Sequence, residues 1–275
     1  MRIYGLDFTS APTRRKPITC VAGEWRAARL RVTGLEELPD FAAFEAFLDR
    51  PGPWIAGLDF PFGQPRRLIK NLGWPTAWAG YVGHLAAMDM RGWEAALKTY
   101  RDARPPGDRH HWRETDRLAD ARSPMMLYGV PVGRMFFQGA PRLLRAGVSV
   151  LPCRPTDSNR IAVEAYPALV ARRWIGRRAY KSDDRRKQTP AHAAARRAVM
   201  RGLRSDEMPQ RYGFRLEIDR ALADEMIRDP RGDALDALLG AVQAAWAWAG
   251  RDHGYGIPAD CDPDEGWIVD PGMVR

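Results

Sequence analysis

Three short apolar segments of the chain each end in one acidic residue. The segments are residues 3–7, 54–59 and 160–164, and their acids are Asp7, Asp59 and Glu164. A short run of strand-favouring apolar residues that stops at a turn is typical of a buried β-strand. Because open α/β sheets bind ligands at the carboxyl ends of their strands, the pattern predicts that the three acids meet at one edge of a sheet.

The residues between these segments predict the rest of the sheet. Residues 17–23 and 25–33 have the character of two strands around a turn at Gly23-Glu24, and Pro39-Asp40 begins a helix with apolar residues at helical spacing. The order strand, strand, strand, helix, strand resembles the opening of the RNase H-like fold. We therefore expect an α/β protein with an RNase H-like mixed five-stranded sheet flanked by helices, as one domain over residues 1–275.

Residues 64–157 follow a different pattern, in which helical stretches rich in large aromatic side chains are broken by glycine and proline. Helices are predicted over residues 76–88, 92–103 and 132–146. We expect this mainly helical insertion, which follows the fourth strand, to form a cap over the sheet. Most of its aromatic side chains are expected in the core, whereas the loop at residues 104–113 is too polar and too broken to belong to the core.

A basic segment follows the strand that ends in Glu164. A helix is expected from Pro167, a dense run of arginine and lysine covers residues 172–187, and a further helix covers residues 190–203. The basic run is either a solvated face or a contact surface for substrate phosphates. Its candidate contacts are Arg177, Arg178, Lys181 and Arg185.

The last long helix is predicted over residues 230–242, with Asp229 as its N-cap and Pro230 as its first residue. Asp233 and Asp236 are three residues apart, so they share one face near the helix start. Residues 266–270 are a candidate for a short edge strand.

Composition narrows the class of protein. A hydrophobic content of 45% with 28% charged residues is that of a globular protein, and the net charge of +9, mostly from arginine, suits phosphate contacts without requiring them. No apolar run approaches the roughly 20 residues of a membrane helix. A strand starts almost at Met1, so no signal peptide is expected. Three cysteines without a CxxC spacing argue against disulfides and structural zinc, and they favour a cytoplasmic location.

Five acids fall at positions from which they can converge. They are Asp7, Asp59, Glu164, Asp233 and Asp236. Desolvated carboxylates repel one another unless a cation lies between them. No His or Cys cluster is present for zinc, so Mg²⁺ or Mn²⁺, which prefer oxygen ligands, is the expected metal. Two such ions can activate a water and stabilise a leaving oxygen, which favours hydrolysis of phosphodiester bonds.

The motifs around these acids resemble a known family. They are Gly5-Leu6-Asp7, Leu58-Asp59-Phe60-Pro61-Phe62-Gly63, Glu164-Ala165-Tyr166-Pro167, Tyr180-Lys181 and Asp233-Ala234-Leu235-Asp236-Ala237. Together they resemble the predicted RNase H-like nuclease family known as domain of unknown function 429. The resemblance spans most of the chain, and it matches the insertion only around residues 113–116. The paired acids of the last helix are also similar to those of Holliday-junction resolvases.

The resemblance implies a metal-dependent nuclease and a role for each acid. Asp7 would bridge the metals, and three other aspartates would complete the ligand shells. These are Asp59, Asp233 and Asp236. Glu164 would be a further ligand or would orient the attacking water.

The resemblance also implies roles for residues outside the acids. Lys181 would contact the phosphate or the transition state, with Tyr180 packed beneath it. Arg113 and Asp116 would reach the site from the insertion as an ion pair, in which Arg113 would contact the substrate. The implied partner is nucleic acid, either DNA or RNA. The oligomeric state is open, with a homodimer as one option.

Two other functions remain open at this level. Asp7-Phe8-Thr9-Ser10 is similar to the first phosphate-binding turn of ATP-dependent sugar kinases, but residues 147–165 lack the glycine-rich second loop that those enzymes use. A nucleic-acid binder without catalysis would keep the basic surface and would be expected to have lost acids. Individually, Asp233 also suits a helix N-terminus and Asp59 suits a turn.

Overall fold

A seven-stranded mixed sheet positions the acids. The computed structural model describes residues 1–274, and its strands are β1 (Arg2–Asp7), β2 (Ile18–Arg26), β3 (Arg29–Leu38), β4 (Trp54–Leu58), β5 (Ser149–Leu151), β6 (Arg160–Glu164) and β7 (Arg215–Glu217). Their order across the sheet is β5-β6-β4-β1-β2-β3-β7. Strands β1, β4, β6 and β5 are mutually parallel, and β2 is antiparallel to both β1 and β3. The carboxyl ends of β1, β4 and β6 therefore lie side by side.

The α/β class is confirmed, whereas the expected count of five strands was too low. The five predicted strands are present, and the sheet gains the edge strands β5 and β7, each of three residues. Segments this short carry no readable alternation of apolar and polar residues. Strand β5 also lies within residues 64–157, the stretch predicted to be mainly helical.

The predicted turn at Gly23-Glu24 was wrong. Strand β2 continues to Arg26, and the hairpin turns at Ala27-Ala28, whose φ angles are 48° and 55°. Tight hairpin turns with positive φ usually select Asn-Gly or Asp-Gly, so an Ala-Ala turn gives no sequence signal. Gly23 instead lies at a shift in the β2–β3 register.

Eleven helices cover both faces of the sheet within residues 1–274. They are α1 (Phe41–Leu48), α2 (Arg66–Asn71), α3 (Trp78–Ala86), α4 (Met90–Asp102), α5 (Glu114–Leu118), α6 (Val132–Ala146), α7 (Pro167–Ile175), α8 (Pro190–Leu203), α9 (Glu207–Tyr212), α10 (Arg220–Arg228) and α11 (Asp233–Ala249). Short 3₁₀ segments occur at Arg185–Lys187, Arg251–Gly256 and Pro271–Met273. No helix of the described residues has the length and apolar character needed to cross a membrane.

Alternating strand residues build a core on each face of the sheet. Ile3 and Ile55 join the core formed with α7 to α11, whereas Leu6 and Leu58 join the core formed with α1, α3, α4 and α6. Helices α2 to α6 lie in residues 64–157, and α6 has the predicted bounds. The buried Trp78 confirms the expectation that aromatic residues of this stretch belong to the core.

Glycines let helix α11 approach the sheet closely. A Cβ atom on Gly5 of β1 would lie 2.0 Å from the backbone nitrogen of Ala241, and one on Gly57 of β4 would lie 2.3 Å from the carbonyl oxygen of Gly240. Such distances are far below van der Waals contact, so only glycine permits this packing. The close contact brings the first turns of α11 to the carboxyl ends of β1 and β4.

The predicted start of α11 was three residues too early, and its end was too early as well. The helix begins at Asp233, because Gly232 has a φ of 76° that breaks the helical path, and it continues to Ala249. Asp229 ends α10 instead, although its Oδ2 still accepts a hydrogen bond from the backbone N–H of Ala234 at 3.2 Å. Near the chain end, Ile268 forms an isolated bridge with Glu164 in place of a full edge strand.

Candidate metal centre

Three aspartates from three elements form a compact acidic triad. Asp7 ends β1, Asp59 directly follows β4, and Asp236 lies in the first turns of α11. Each offers a carboxylate oxygen, and these oxygens lie within 4.8 Å of one another. The backbone N–H of Asp59 donates to the carbonyl of Leu6 at 3.0 Å, which extends the β1–β4 pairing to the acids. The triad therefore follows from the parallel register and from the close contact of α11.

Burial and the neighbouring acids raise the pKa values of Asp7 and Asp59. Burial raises the pKa of Asp7 well above its usual value, with Lys181 opposing this and Asp236 and Asp59 adding to it. Burial and the charge of Asp236 raise the pKa of Asp59 to about 7, again against the influence of Lys181. Clustered carboxylates with raised pKa values are the electrostatic condition that a bound cation relieves.

Tyr180 and Lys181 fix the third carboxylate. The Tyr180 hydroxyl donates to Oδ1 of Asp236 at 2.7 Å, and Nζ of Lys181 forms an ion pair with Oδ2. Burial alone would lower the pKa of Lys181, but Asp236 and its neighbours raise it well above the ordinary value, so the amine stays charged. Arg196 donates from Nη1 to the Tyr180 carbonyl at 2.7 Å and holds this loop in place. Tyr180 and Lys181 thus lie beside the triad, as the sequence predicts.

Asp233 lies beside the triad and is not one of its three members. Its Oδ2 is buried, accepts no hydrogen bond from the described residues, and has an ionic contact with Nε of Arg231 at 3.3 Å. Burial and Asp229 raise the pKa of Asp233, while Arg231 and Lys181 lower it. Asp233 lines a pocket together with Asp7 and Asp59, so this carboxylate faces the same space as the triad.

Glu164 is held in a buried ion pair and is not one of the triad's three acids. Its Oε1 accepts from Nη2 of Arg113 at 2.6 Å, and its Oε2 accepts from Nη1 of Arg113 at 2.7 Å and from the backbone N–H of Phe62 at 2.9 Å. Burial raises the pKa of Glu164, and Arg113 opposes this rise. Glu164 is not among the acids of the triad, and its two oxygens together accept three hydrogen bonds, so its role as a metal ligand stays a prediction.

The predicted ion pair between Arg113 and Asp116 is present. Nε and Nη2 of Arg113 donate to Asp116 at 3.0 and 2.7 Å, and Nη1 also donates to the carbonyl of Glu265 at 2.9 Å. Together with the two contacts to Glu164, these bonds occupy all five N–H groups of a side chain that is 1% exposed. No donor of Arg113 remains for the substrate contact that the sequence suggested. Arg113 instead joins the cap to the end of β6.

Most of the basic run lies away from the acids. Arg177 is exposed and pairs with Asp120, Arg178 donates to the carbonyl of Ile175, and Arg185 is exposed in a 3₁₀ segment. These three arginines do not line either pocket beside the triad, whereas Lys181 and Lys187 of the same run do. In a run of lysine and arginine, the sequence does not distinguish the few residues that face a site from those that face solvent.

Two pockets adjoin the triad. One, of about 240 Å³, is called the apolar pocket. Its lining includes Phe60, Pro61, Val130, Met135, Tyr166 and Ala168, and also the charged residues Asp59, Arg113, Asp116, Arg122, Glu164, Lys181 and Asp236. The other, of about 460 Å³, is called the lysine pocket; its lining includes the lysines Lys16, Lys181 and Lys187, the aspartates Asp7, Asp59, Asp183, Asp184 and Asp233, and the hydroxyl residues Thr9, Ser10 and Ser182. Sequence reasoning missed Lys16, which reaches this pocket from the loop between β1 and β2.

Comparison with known families agrees with the motifs around the acids. A family model described as protein of unknown function (DUF429) matches residues 5–261. The chain belongs to the DUF429 family. The matched region of this DUF429 protein includes the triad, Asp233 and the loop with Tyr180 and Lys181. No curated protein and no solved structure matches the chain.

Proposed function

We propose that this DUF429 protein is a cytoplasmic, metal-dependent nuclease with an RNase H-like fold, which hydrolyses phosphodiester bonds in nucleic acid. The acidic triad carries the proposal, because three clustered carboxylates, one buried and two half-buried, that share little positive charge have no evident structural use. The meander β1–β2–β3, the helix α1 and the parallel strand β4 support the assignment of fold.

The donor set fits a hard divalent cation. Asp7, Asp59 and Asp236 supply carboxylate oxygens only, and no His or Cys is among them. Mg²⁺ and Mn²⁺ prefer such ligands, whereas zinc and copper sites usually include nitrogen or sulfur. Asp233 would serve a second ion, since its Oδ2 is buried and accepts no hydrogen bond from the described residues. When bound, the metal would activate a water and stabilise negative charge on the phosphate.

The remaining side chains would bind and orient the substrate. Lys181 stays protonated beside Asp236 and would offset negative charge as the phosphorus–oxygen bond to the leaving group breaks. Tyr180 keeps the Asp236 carboxylate in one orientation. Lys16 and Lys187 line the lysine pocket and would attract the flanking phosphates. Glu164 and Arg113 would act as positioning residues, because they fix the backbone at Phe62, three residues after Asp59.

Metal binding and cleavage test the proposal together. Calorimetry with Mn²⁺ and Mg²⁺ would compare the wild type with Asp7→Asn and with Asp252→Asn, a control with the same chemical change at an exposed carboxylate. We expect binding in the wild type and control and its loss in Asp7→Asn. A screen of labelled single-stranded, duplex, hybrid and branched substrates should then show metal-dependent cleavage that Asp7→Asn and Asp236→Asn abolish. Metal binding without any cleavage would refute the nuclease assignment and direct the search to ATP-dependent phosphotransfer.

A further inference from the structure

The two pockets beside the triad differ in chemistry and share part of their walls. Asp59 and Lys181 line both, and so do Val130 and Met135, which lie just before α6 and in its first turn. The acidic centre is therefore the junction of a mainly apolar space and one lined by lysines and carboxylates. A ligand held at the junction would place one part of itself in each pocket.

The apolar pocket combines apolar side chains with an ionic wall. Pro61, Val130 and Tyr166 are among the residues that line it. Arg113, Asp116 and Glu164 line it as well, but the donors of Arg113 are all occupied within that cluster. The exposed Arg122 is a further charged residue of the lining. At about 240 Å³ the pocket is smaller than the roughly 300–1,000 Å³ of sites for drug-sized ligands, so its volume suits one small ring system.

The lysine pocket combines cations with carboxylates. Three lysines and the hydroxyl groups of Thr9, Ser10 and Ser182 line it, together with five aspartates: Asp7, Asp59, Asp183, Asp184 and Asp233. Lys181 is paired with Asp236. Lys16 pairs with Asp183 at 3.0 Å, but both side chains are exposed, so this pair is weak and exchangeable. Lys187 is exposed and belongs to no ion pair among the described residues. Lys16 and Lys187 are therefore the cations through which this pocket would contact phosphates.

We propose that the apolar pocket receives one unpaired nucleobase of the substrate while the adjoining phosphates lie across the triad and along the lysine pocket. This inference rests on the proposed nuclease function and names its substrate class as single-stranded or locally unpaired nucleic acid. A base within a duplex would first have to leave its stack, at a cost that an unpaired base avoids. The enzyme should therefore prefer single strands over perfect duplexes.

Binding of two fluorescent oligonucleotides of equal length tests the pocket directly. One carries thymine at each position, and the other is an abasic chain with the same phosphates. Fluorescence anisotropy in EDTA at low salt prevents metal-dependent cleavage of the probe. We expect the wild type to bind the thymine oligonucleotide roughly five- to a hundredfold more tightly than the abasic one, as is usual for a base that stacks on protein.

Filling the pocket should remove that preference. Ala168→Phe places a ring in the apolar pocket and should lower thymine binding to the abasic level, with abasic binding unchanged. Ala168→Leu, a smaller filling that serves if the first variant does not fold, should reduce the preference partially. Ala221→Phe on the exposed face of α10 is the matched control and should keep it. Lys187→Ala should weaken both probes by a similar factor.

The outcomes separate this inference from the proposed function. Equal binding of both probes by the wild type would overturn it, as would a preference that Ala168→Phe leaves intact. If metal-dependent cleavage occurs without base preference, the pocket assignment fails and the nuclease assignment stands. A base preference lost in Ala168→Phe, in a protein that cleaves no nucleic acid, would support the pocket and refute the nuclease.

Discussion

The triad should destabilise the metal-free protein at neutral pH, and Asp59→Asn should relieve this. The pKa of Asp59 rises from 3.8 to about 7, chiefly through burial and then through Asp236. Below about pH 4 the carboxyl group is protonated in both the folded and unfolded states. Between about pH 4 and 7 the unfolded chain releases the proton while the folded protein keeps it, so stability falls as pH rises. Above about pH 7 the carboxyl group is ionised in both states, so the free energy of unfolding falls no further.

The size of the effect follows from the same two pKa values. Their difference corresponds to about 4 kcal/mol, at about 1.4 kcal/mol per pKa unit. The Asp59 side chain is partly accessible to water, which screens its charge. We therefore expect Asp59→Asn to raise the free energy of unfolding at pH 8 by roughly 1–3 kcal/mol. At pH 4 the gain should be close to zero, since the wild-type carboxyl group is then neutral in the folded protein.

Urea unfolding in EDTA, followed by circular dichroism at pH 4, 6 and 8, measures this difference. Asp252→Asn removes an exposed carboxylate and should leave stability unchanged at each pH. Saturating Mn²⁺ should reverse the order at pH 8, because the metal stabilises only the protein that binds it. If Asp59→Asn is less stable than the wild type at pH 8 in EDTA, the protein itself already stabilises the ionised Asp59 carboxylate without a metal. The argument for a cation between the acids would then fail.

Three further substitutions test how the centre is built. Lys181→Met removes the cation that lowers the pKa of Asp7 and Asp59. The pH midpoint of Mn²⁺ binding, measured by calorimetry, should therefore move upward. An unchanged midpoint would contradict the electrostatic role of Lys181. Glu164→Gln should lower the free energy of unfolding by about 3 kcal/mol, because it breaks a buried ion pair. The variant should still bind metal. Loss of metal binding in the folded variant would show that Glu164 is a ligand. Gly5→Ala should lower the free energy of unfolding in urea by at least about 3 kcal/mol, because the new methyl group overpacks against α11. Gly83→Ala, where a Cβ meets nothing within 4 Å, is the control and should not destabilise the protein.

The sequence was sufficient to place the aspartates because parallel strands impose a simple rule. An acid at the end of each apolar run must emerge at the same edge when the runs pair in register, as Leu6 and Leu58 do. Helical spacing then brought Asp236 to the correct face of α11. These inferences needed only periodicity and strand direction. They hold although the exact start of α11 was misjudged.

The role of Glu164 could not be predicted from strand direction and periodicity. An acid that ends an apolar strand has the same sequence pattern whether it binds a metal or pairs with a buried arginine. The distinction depends on Arg113, which is 51 residues away and is brought to Glu164 by the fold of the cap. Similarly, the spacing of glycines in β1 and β4 does not reveal that both face one helix. Contacts between distant segments therefore limited the prediction more than local structure did.

The electrostatic cost of the triad and the packing of α11 are connected. Every residue of α11 from Ala234 to Ala245 is buried, so the helix contributes a large part of the apolar core while it carries Asp236 into the triad. Burial of so much apolar surface stabilises the fold enough to offset repulsion among carboxylates. Glycine at positions 5 and 57 makes the two effects inseparable, because any side chain there would lift the helix from the core and Asp236 from its partners together. The centre is thus assembled by the same contact that stabilises the sheet, and this contact brings carboxylate oxygens of the three acids within 4.8 Å of one another.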